Sequence, residues 1–131
     1  MKILITGGAG FIGVNAASYF LAKGHKVIIY DNFSRKGSLN NIALLRGKHD
    51  NRNLEIIKGE IRTFSKELTA SVRKADVVLH LAAQVAVTTS VEDPRNDFEI
   101  NALGTLNVLE AVRQSKNKPI LLYSSTNKVY G

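Results

Sequence analysis

The chain contains no cysteine, which excludes both a disulfide framework and a thiolate metal site. A cysteine-free sequence fits a reducing compartment, and no metal site is expected. No apolar run approaches the roughly 18 residues that a membrane-spanning helix needs. Residues 1–13 hold one lysine, a short apolar run and then glycines, which is not the form of a secretory signal. A soluble, cytoplasmic protein with no membrane partner is the expectation. The net charge is +7, yet the basic residues form no dense run and no aromatics alternate with them. A nucleic-acid platform is therefore not expected. Scattered lysines and arginines suit solvated helix faces, with a mild pull on anionic ligands such as nucleotides. Internal repeats and low-complexity linkers are lacking as well.

What is present is enough apolar sequence, 44% of 131 residues, for one compact core. Short Val/Ile/Leu runs at 2–6, 26–30, 54–58, 76–81 and 119–124 read as strands covered on both faces. Residues 11–23 read as a helix with Phe11, Ala16 and Phe20 on its apolar side. Residues 97–115 read as one long helix, with Ile100, Leu103, Leu106, Val108, Leu109 and Val112 facing inward. Residues 32–52, rich in Ser, Asn, Lys, Arg and Gly, read as a loop with a short helix at 41–45. Strands separated by helices pair in parallel through right-handed crossovers, so the class is α/β with a doubly wound parallel sheet.

The segment Thr6-Gly7-Gly8-Ala9-Gly10-Phe11-Ile12-Gly13 joins the first strand to the first helix. It satisfies Gly8-x-Gly10-x-x-Gly13 and also Gly7-x-x-Gly10-x-x-Gly13. Early glycines allow a tight turn, a middle one lets the backbone approach a pyrophosphate, and Gly13 lets the helix pack close to the sheet. The helix start then offers free N–H groups and a positive dipole end to phosphates. This context marks a dinucleotide site and a Rossmann-type sheet. Asp31 ends the second strand roughly 20 residues later, where a carboxylate accepts hydrogen bonds from the adenosine ribose. It would repel a 2′-phosphate, favouring NAD over NADP; Arg35 nearby is a guanidinium that could hold such a phosphate.

With these motifs the chain resembles the extended short-chain dehydrogenase/reductase family, the NAD-dependent epimerases and dehydratases of nucleotide sugars. The resemblance covers essentially all 131 residues. It rests on residues 6–13, Asp31-Asn32, Gly59-Glu60-Ile61-Arg62, His80-Leu81-Ala82-Ala83-Gln84, Asn101 with Gly104-Thr105, and Ser124-Ser125-Thr126 with Val129-Tyr130-Gly131. It implies cofactor contacts from Gly7, Gly10, Phe11, Ile12 and Gly13, and from Asn32, Ser34 and Arg35 beyond Asp31. Glu60, where the family more often has Asp, is implied to bond the adenine amino group, with Ile61 against the ring. Leu81, Ala82 and Ala83 are implied to run along the cofactor, and Asn101 to stand near its nicotinamide half. Thr126 is implied to be the catalytic hydroxyl that bonds the reacting sugar oxygen.

The family's sugar 4,6-dehydratases carry an Asp–Glu pair immediately after that hydroxyl, because water elimination needs an acid and a base. This chain has Asn127-Lys128; Asn does not usefully donate or take a proton and Lys128 carries the wrong charge for the glutamate's role, so dehydration is disfavoured. Residues 84–90, 96–101 and 124–131 resemble the subgroup of CDP-paratose 2-epimerases, which implies a CDP-hexose substrate. It also implies bound NAD that removes hydride from sugar C2 and returns it to the other face. A nucleotide-sugar 4-epimerase, or a non-catalytic NAD-binding module, are the alternatives. Thr88 and Thr89 are candidates for the sugar pocket, with helix-start capping as the other reading.

The resemblance implies a Tyr-x-x-x-Lys pair some tens of residues beyond Gly131, together with further strands and a smaller substrate domain. Residues 1–131 are thus expected to be a dinucleotide-binding domain cut after about five strands and inactive alone. Tyr19 and Lys23 have the same spacing but fall on the first helix, where they make an i, i+4 pair. The fifth strand is expected to leave an apolar edge open to self-association, and the 97–115 helix is a candidate surface for a homo-oligomer.

Overall fold

The computed structural model describes residues 1–126. Asn127, Lys128, Val129, Tyr130 and Gly131, which the sequence reading used, lie outside the described residues.

Five parallel strands form one sheet: β1 (Lys2–Thr6), β2 (Lys26–Asp31), β3 (Leu54–Lys58), β4 (Val77–His80) and β5 (Ile120–Tyr123). Their order is β3-β2-β1-β4-β5. The chain therefore winds one way from β1 to β3, then crosses back over β1 to lay down β4 and β5. The reversal falls between β1 and β4, and a crevice opens at the carboxyl ends of strands at such a point. This is the doubly wound Rossmann sheet that the sequence implied.

Alternation along the strands feeds two cores. Ile3, Ile5, Val27 and Ile29 point to one face, where α1 (Phe11–Ala22) and α2 (Ser38–Lys48) cover them with Ala17, Leu21, Ile42 and Leu45. Leu4, Ile28, Tyr30 and Val78 point to the other. There α3 (Lys66–Lys74) and α6 (Gly104–Gln114) supply Leu68, Val72, Val108 and Ala111. β1 is covered on both faces, which is why its run reads as continuously apolar.

The helices depart from the sequence reading in several places. Residues 38–48 form a full helix rather than a short one at 41–45, because Ile42 and Leu45 dock into the first core. α3 was not assigned at all; Ser65 caps it by accepting from the Leu68 N–H, and only Leu68, Ser71 and Val72 are buried. The expected 97–115 helix is three pieces. It starts earlier, as α5 (Pro94–Phe98), with Asp93 accepting from the Asn96 N–H and Pro94 in the first turn. It passes through a π turn at Glu99–Leu103 and continues as α6. Leu103, Leu106 and Leu109 do not face inward as expected; they are 37%, 52% and 45% exposed, and Val108 and Ala111 take the buried positions. On α1 the buried line is Gly13, Ala17 and Leu21, and Phe11 is exposed. A short helix, α4 (Val87–Glu92), follows β4. Edge strand β5 leaves Ile120, Leu122 and Tyr123 exposed. Among the described residues no helix is long and apolar enough to cross a membrane.

Candidate dinucleotide site

A cavity of about 1010 Å3 opens at the carboxyl ends of the strands. Its centre is the turn between β1 and α1. Gly7 has φ +68° and its N–H donates to the Tyr30 carbonyl at 2.9 Å. The turn lies so close to the segment after β4 that a Cβ on Gly7 would stand 2.7 Å from the Ala82 backbone. A Cβ on Gly13 would stand 2.5 Å from the Gly7 carbonyl oxygen. Both positions require glycine, one for conformation and contact, the other for contact alone. Of the two overlapping glycine patterns, Gly7, Gly10 and Gly13 line the cavity. Gly8 instead faces the core at Ile29. α1 starts at Phe11 with no side-chain cap and no acidic residue in its first turn. Its end therefore presents backbone N–H groups and a positive dipole to the cavity.

On the β2–β3 side, Asp31 Oδ2 accepts from the Ala9 N–H at 3.0 Å and Oδ1 from the Phe33 N–H at 2.8 Å. The carboxylate thus fastens the glycine turn to β2, and about two of its four lone-pair positions remain for a ligand. Asn41 of α2 donates to the Ala9 carbonyl at 2.9 Å and braces the same turn. Glu60 is turned onto its neighbours: Oε2 accepts from Asn32 Nδ2 at 3.0 Å and from the Arg62 guanidinium at 2.8 Å, and Oε1 accepts from the Arg62 N–H. Partial burial opposes its charge, but the bonds from Arg62 and Asn32 outweigh that and hold its carboxyl down at about 2. Arg62 also donates to Asn96 Oδ1 at 3.0 Å, which ties this corner to α5.

On the β4–β5 side the chain leaves His80 through Leu81, Ala82 and Ala83 to Gln84. Asn101 clamps Gln84 from both sides: its Oδ1 accepts the Gln84 N–H at 2.9 Å, and its Nδ2 donates to the Gln84 carbonyl at 3.0 Å. Asn101 therefore bonds a neighbouring loop while it also lines the cavity. Asp97 Oδ1 accepts from the same Nδ2 at 3.1 Å and from the Ser90 hydroxyl at 2.6 Å.

Every residue named from the sequence as a cofactor contact, from Gly7 to Asn101, lines this one cavity, and so does Thr126. Thr88 and Thr89 do not. They are exposed residues inside the first turn of α4 and do not cap it. Tyr30, Gly59, Gln84, Val85, Asn96 and Tyr123 also line the cavity and were not singled out. Gly59, Gln84, Val85 and Asn96 had a signal, as members of quoted segments; Tyr30 and Tyr123 fell only within strand runs. Tyr19 lies on α1 and Lys23 caps its C-terminal end, away from the cavity, with Lys23 Nζ 5.8 Å from the Tyr19 ring centre. Among the described residues no group of three His, Asp or Glu could hold a metal.

Residues 4–131 match the family described as GDP-mannose 4,6 dehydratase. The chain belongs to that family. It is 50% identical over 133 aligned residues to a CDP-paratose 2-epimerase of Salmonella typhi, covering 100% of this chain and 38% of that protein. It is 39% identical over 129 residues to a putative UDP-glucose 4-epimerase of Methanocaldococcus jannaschii, covering 98% of this chain and 39% of that one. Among solved structures, it superposes with a TM-score of 0.86 at 28% identity on a UDP-glucose 4-epimerase from Stenotrophomonas maltophila with bound NAD and formylated UDP-arabinopyranose. That match covers 100% of this chain and 38% of the other. The chain therefore spans under two fifths of the length of these relatives.

The His80 side chain, at the end of β4, is buried between β1 and α6. His80 is 1% exposed. Thr6 Oγ1 lies 2.5 Å from its Nδ1, and Thr105 Oγ1 lies 3.1 Å from its Nε2. Thr105 spends its only hydroxyl proton on the Asn101 carbonyl at 2.7 Å. It must accept from His80, so the imidazole carries its proton on Nε2 and accepts the Thr6 hydroxyl at Nδ1. Burial pushes the imidazole pKa down to about 4. The folded state holds His80 neutral while the unfolded state takes a proton near the ordinary 6.5. Stability is therefore complete above pH 6.5 and falls as pH drops towards 4, by about 3 kcal/mol. Glu60 acts lower: its contribution is present above 4.5 and is lost as pH falls from there to about 2. Melting curves between pH 7 and pH 3 are expected to show the first loss in the unaltered protein and to lack it in His80→Gln. An unchanged pH dependence in that variant would contradict the assignment.

Proposed function

We propose that this chain is the NAD-binding part of a nucleotide-sugar epimerase, and that the sugar nucleotide is a CDP-hexose reacted at C2. The observation that carries the cofactor reading is the single cavity that joins the capless start of α1, the Asp31 carboxylate and the small-residue run Leu81-Ala82-Ala83. A pyrophosphate fits the α1 N-terminus, and Asp31 keeps acceptor positions for ribose hydroxyls. Ala82 and Ala83 let a flat ring approach the backbone. Adenosine contacts are assigned to Asn32, Ser34, Arg35, Glu60 and Ile61. The relatives' NAD complexes support the same group. When bound, NAD supplies the hydride acceptor and donor. The chain's own residues orient it, and Thr126, which lines the cavity, is assigned the hydrogen bond to the reacting sugar oxygen.

The epimerase reading over dehydration rests on Asn127 and Lys128: an amide does not usefully donate or take a proton, and an ammonium carries the wrong charge for the glutamate's role in elimination. The CDP-sugar reading rests on the 50% identity to the CDP-paratose 2-epimerase against 39% to the putative UDP-glucose 4-epimerase.

Calorimetric titration tests the cofactor. The protein is expected to bind NAD more tightly than NADP, and Asp31→Ala to weaken NAD at least tenfold, since it removes a charged acceptor. Equal affinity for the two, or no effect of Asp31→Ala, would contradict the site. Two chimaeras test the sugar, with residues 1–131 replacing the matching part of the Salmonella typhi CDP-paratose 2-epimerase or of a UDP-glucose 4-epimerase. Activity is expected to survive in the first and be lost in the second; the reverse pattern would make the chain a 4-epimerase part.

A further inference from the structure

The two halves of the cavity are fixed by different devices. On the adenosine side, carboxylates hold the loops directly, through Asp31 and Glu60. On the β4–β5 side, among the described residues, the Gln84 backbone is held at both its N–H and its carbonyl by the Asn101 amide, and a carboxylate acts only at one remove, Asp97 Oδ1 accepting from that amide. Asn101 sits in the π turn, where the helix hydrogen bonds are displaced by one residue. What steadies its backbone is the Thr105 hydroxyl, and what orients that hydroxyl is His80, itself oriented by Thr6. Thr6, His80 and Thr105 do not line the cavity. They form a line of bonds from β1 through β4 to α6, buried at Thr6 and His80 and half-buried at Thr105, and its last acceptor, Asn101, lines the cavity. Tyr123, which does line the cavity, stacks on the His80 ring at 5.7 Å.

We infer that His80 and Thr105 are positioning residues for the nicotinamide half of the dinucleotide. As the Nε2–H tautomer, His80 fixes the rotation of the Thr105 hydroxyl. That hydroxyl fixes the Asn101 turn, and Asn101 fixes the Gln84 peptide beside the cofactor. The inference rests on the NAD reading above. With the adenosine ribose at Asp31 and the pyrophosphate at α1, the other nucleoside lies over β4 and β5. A group that only supported the fold would affect both halves of the ligand alike; this one acts on the second half.

ADP-ribose, which lacks the nicotinamide ring, separates the two. Thr105→Val keeps the side-chain shape and removes the hydroxyl; Thr105→Ser keeps the hydroxyl. Titrations of NAD and ADP-ribose into the unaltered protein and both variants are expected to show NAD about fivefold to tenfold weaker in Thr105→Val, the loss of roughly one hydrogen bond. ADP-ribose is expected to change less than twofold, and Thr105→Ser to restore NAD. Equal weakening of both ligands, or of neither, overturns the inference. A measurement on the unaltered protein stands beside this one in case Thr105→Val does not fold. The ring-nitrogen NMR signals of His80 are expected to show the Nε2–H tautomer and to shift with NAD but not with ADP-ribose. An Nδ1–H tautomer, or identical responses to the two ligands, overturns it. If the unaltered protein binds neither ligand, the dinucleotide reading itself fails and the inference with it.

Discussion

The approach of Gly7 to Ala82 leaves no room for a single methyl group, and the rest of the site follows from it. It brings the end of β1 against the segment after β4, at the one place where the sheet reverses its winding. With Gly13 equally pressed against the turn, α1 begins at the carboxyl edge of the sheet and aims its uncapped end across the crevice. Asp31 and Asn41 then hold Ala9, so the turn cannot swing away. A larger residue at position 7 or 13 would have to push α1 or the β4 loop outward, and the cavity would lose its floor.

Around that fixed centre the polar side chains form a nearly continuous rim. Asn32, Glu60, Arg62 and Asn96 lead from the end of β2 to α5. The next residue, Asp97, joins Ser90 and Asn101, and Asn101 reaches Gln84. Among the described residues no buried side-chain nitrogen or oxygen lacks a partner. That complete pairing keeps an otherwise costly set of buried polar groups compatible with a stable fold. It also gives Glu60 a different part from the one its position suggested. Three of its acceptor positions serve Asn32 and Arg62, so it braces the loops at the adenosine end as well as facing the cavity.

The glycine turn, Asp31 and the strand runs were legible because their signals are local. A turn that needs missing side chains, a strand-end carboxylate and a β-branched run each declare themselves within a few residues. α3 was not legible, since it buries a narrow stripe of Leu68, Ser71 and Val72 beneath Lys66, Glu67, Arg73 and Lys74. The length of α2 was hidden for a similar reason: its docking on α1 comes from Ile42 and Leu45, and no side chain caps its start. The π turn was hidden because Glu99–Leu103 has the same apolar spacing as an α-helix. Leu103, Leu106 and Leu109 then misled the helix-face assignment, because period alone does not say which apolar residues a neighbouring element reaches. The bonds of His80 with Thr6 and Thr105 span 74 and 25 residues of sequence, and no local pattern encodes them. Family motifs nevertheless contain all three, so resemblance located them without saying what they do.

The central claim is that the crevice between β1 and β4 is a dinucleotide site with one nucleoside on each side of the glycine turn. Backbone amide NMR spectra of the isotope-labelled protein, with and without NAD, test it most directly. Shifts are predicted at residues 7–13, at 31–35 and 59–61, and at 81–84, with little change at residues 52–55 and 74 at the opposite end of the strands. Shifts confined to one side of the turn, or gathered at that opposite end, would contradict the account.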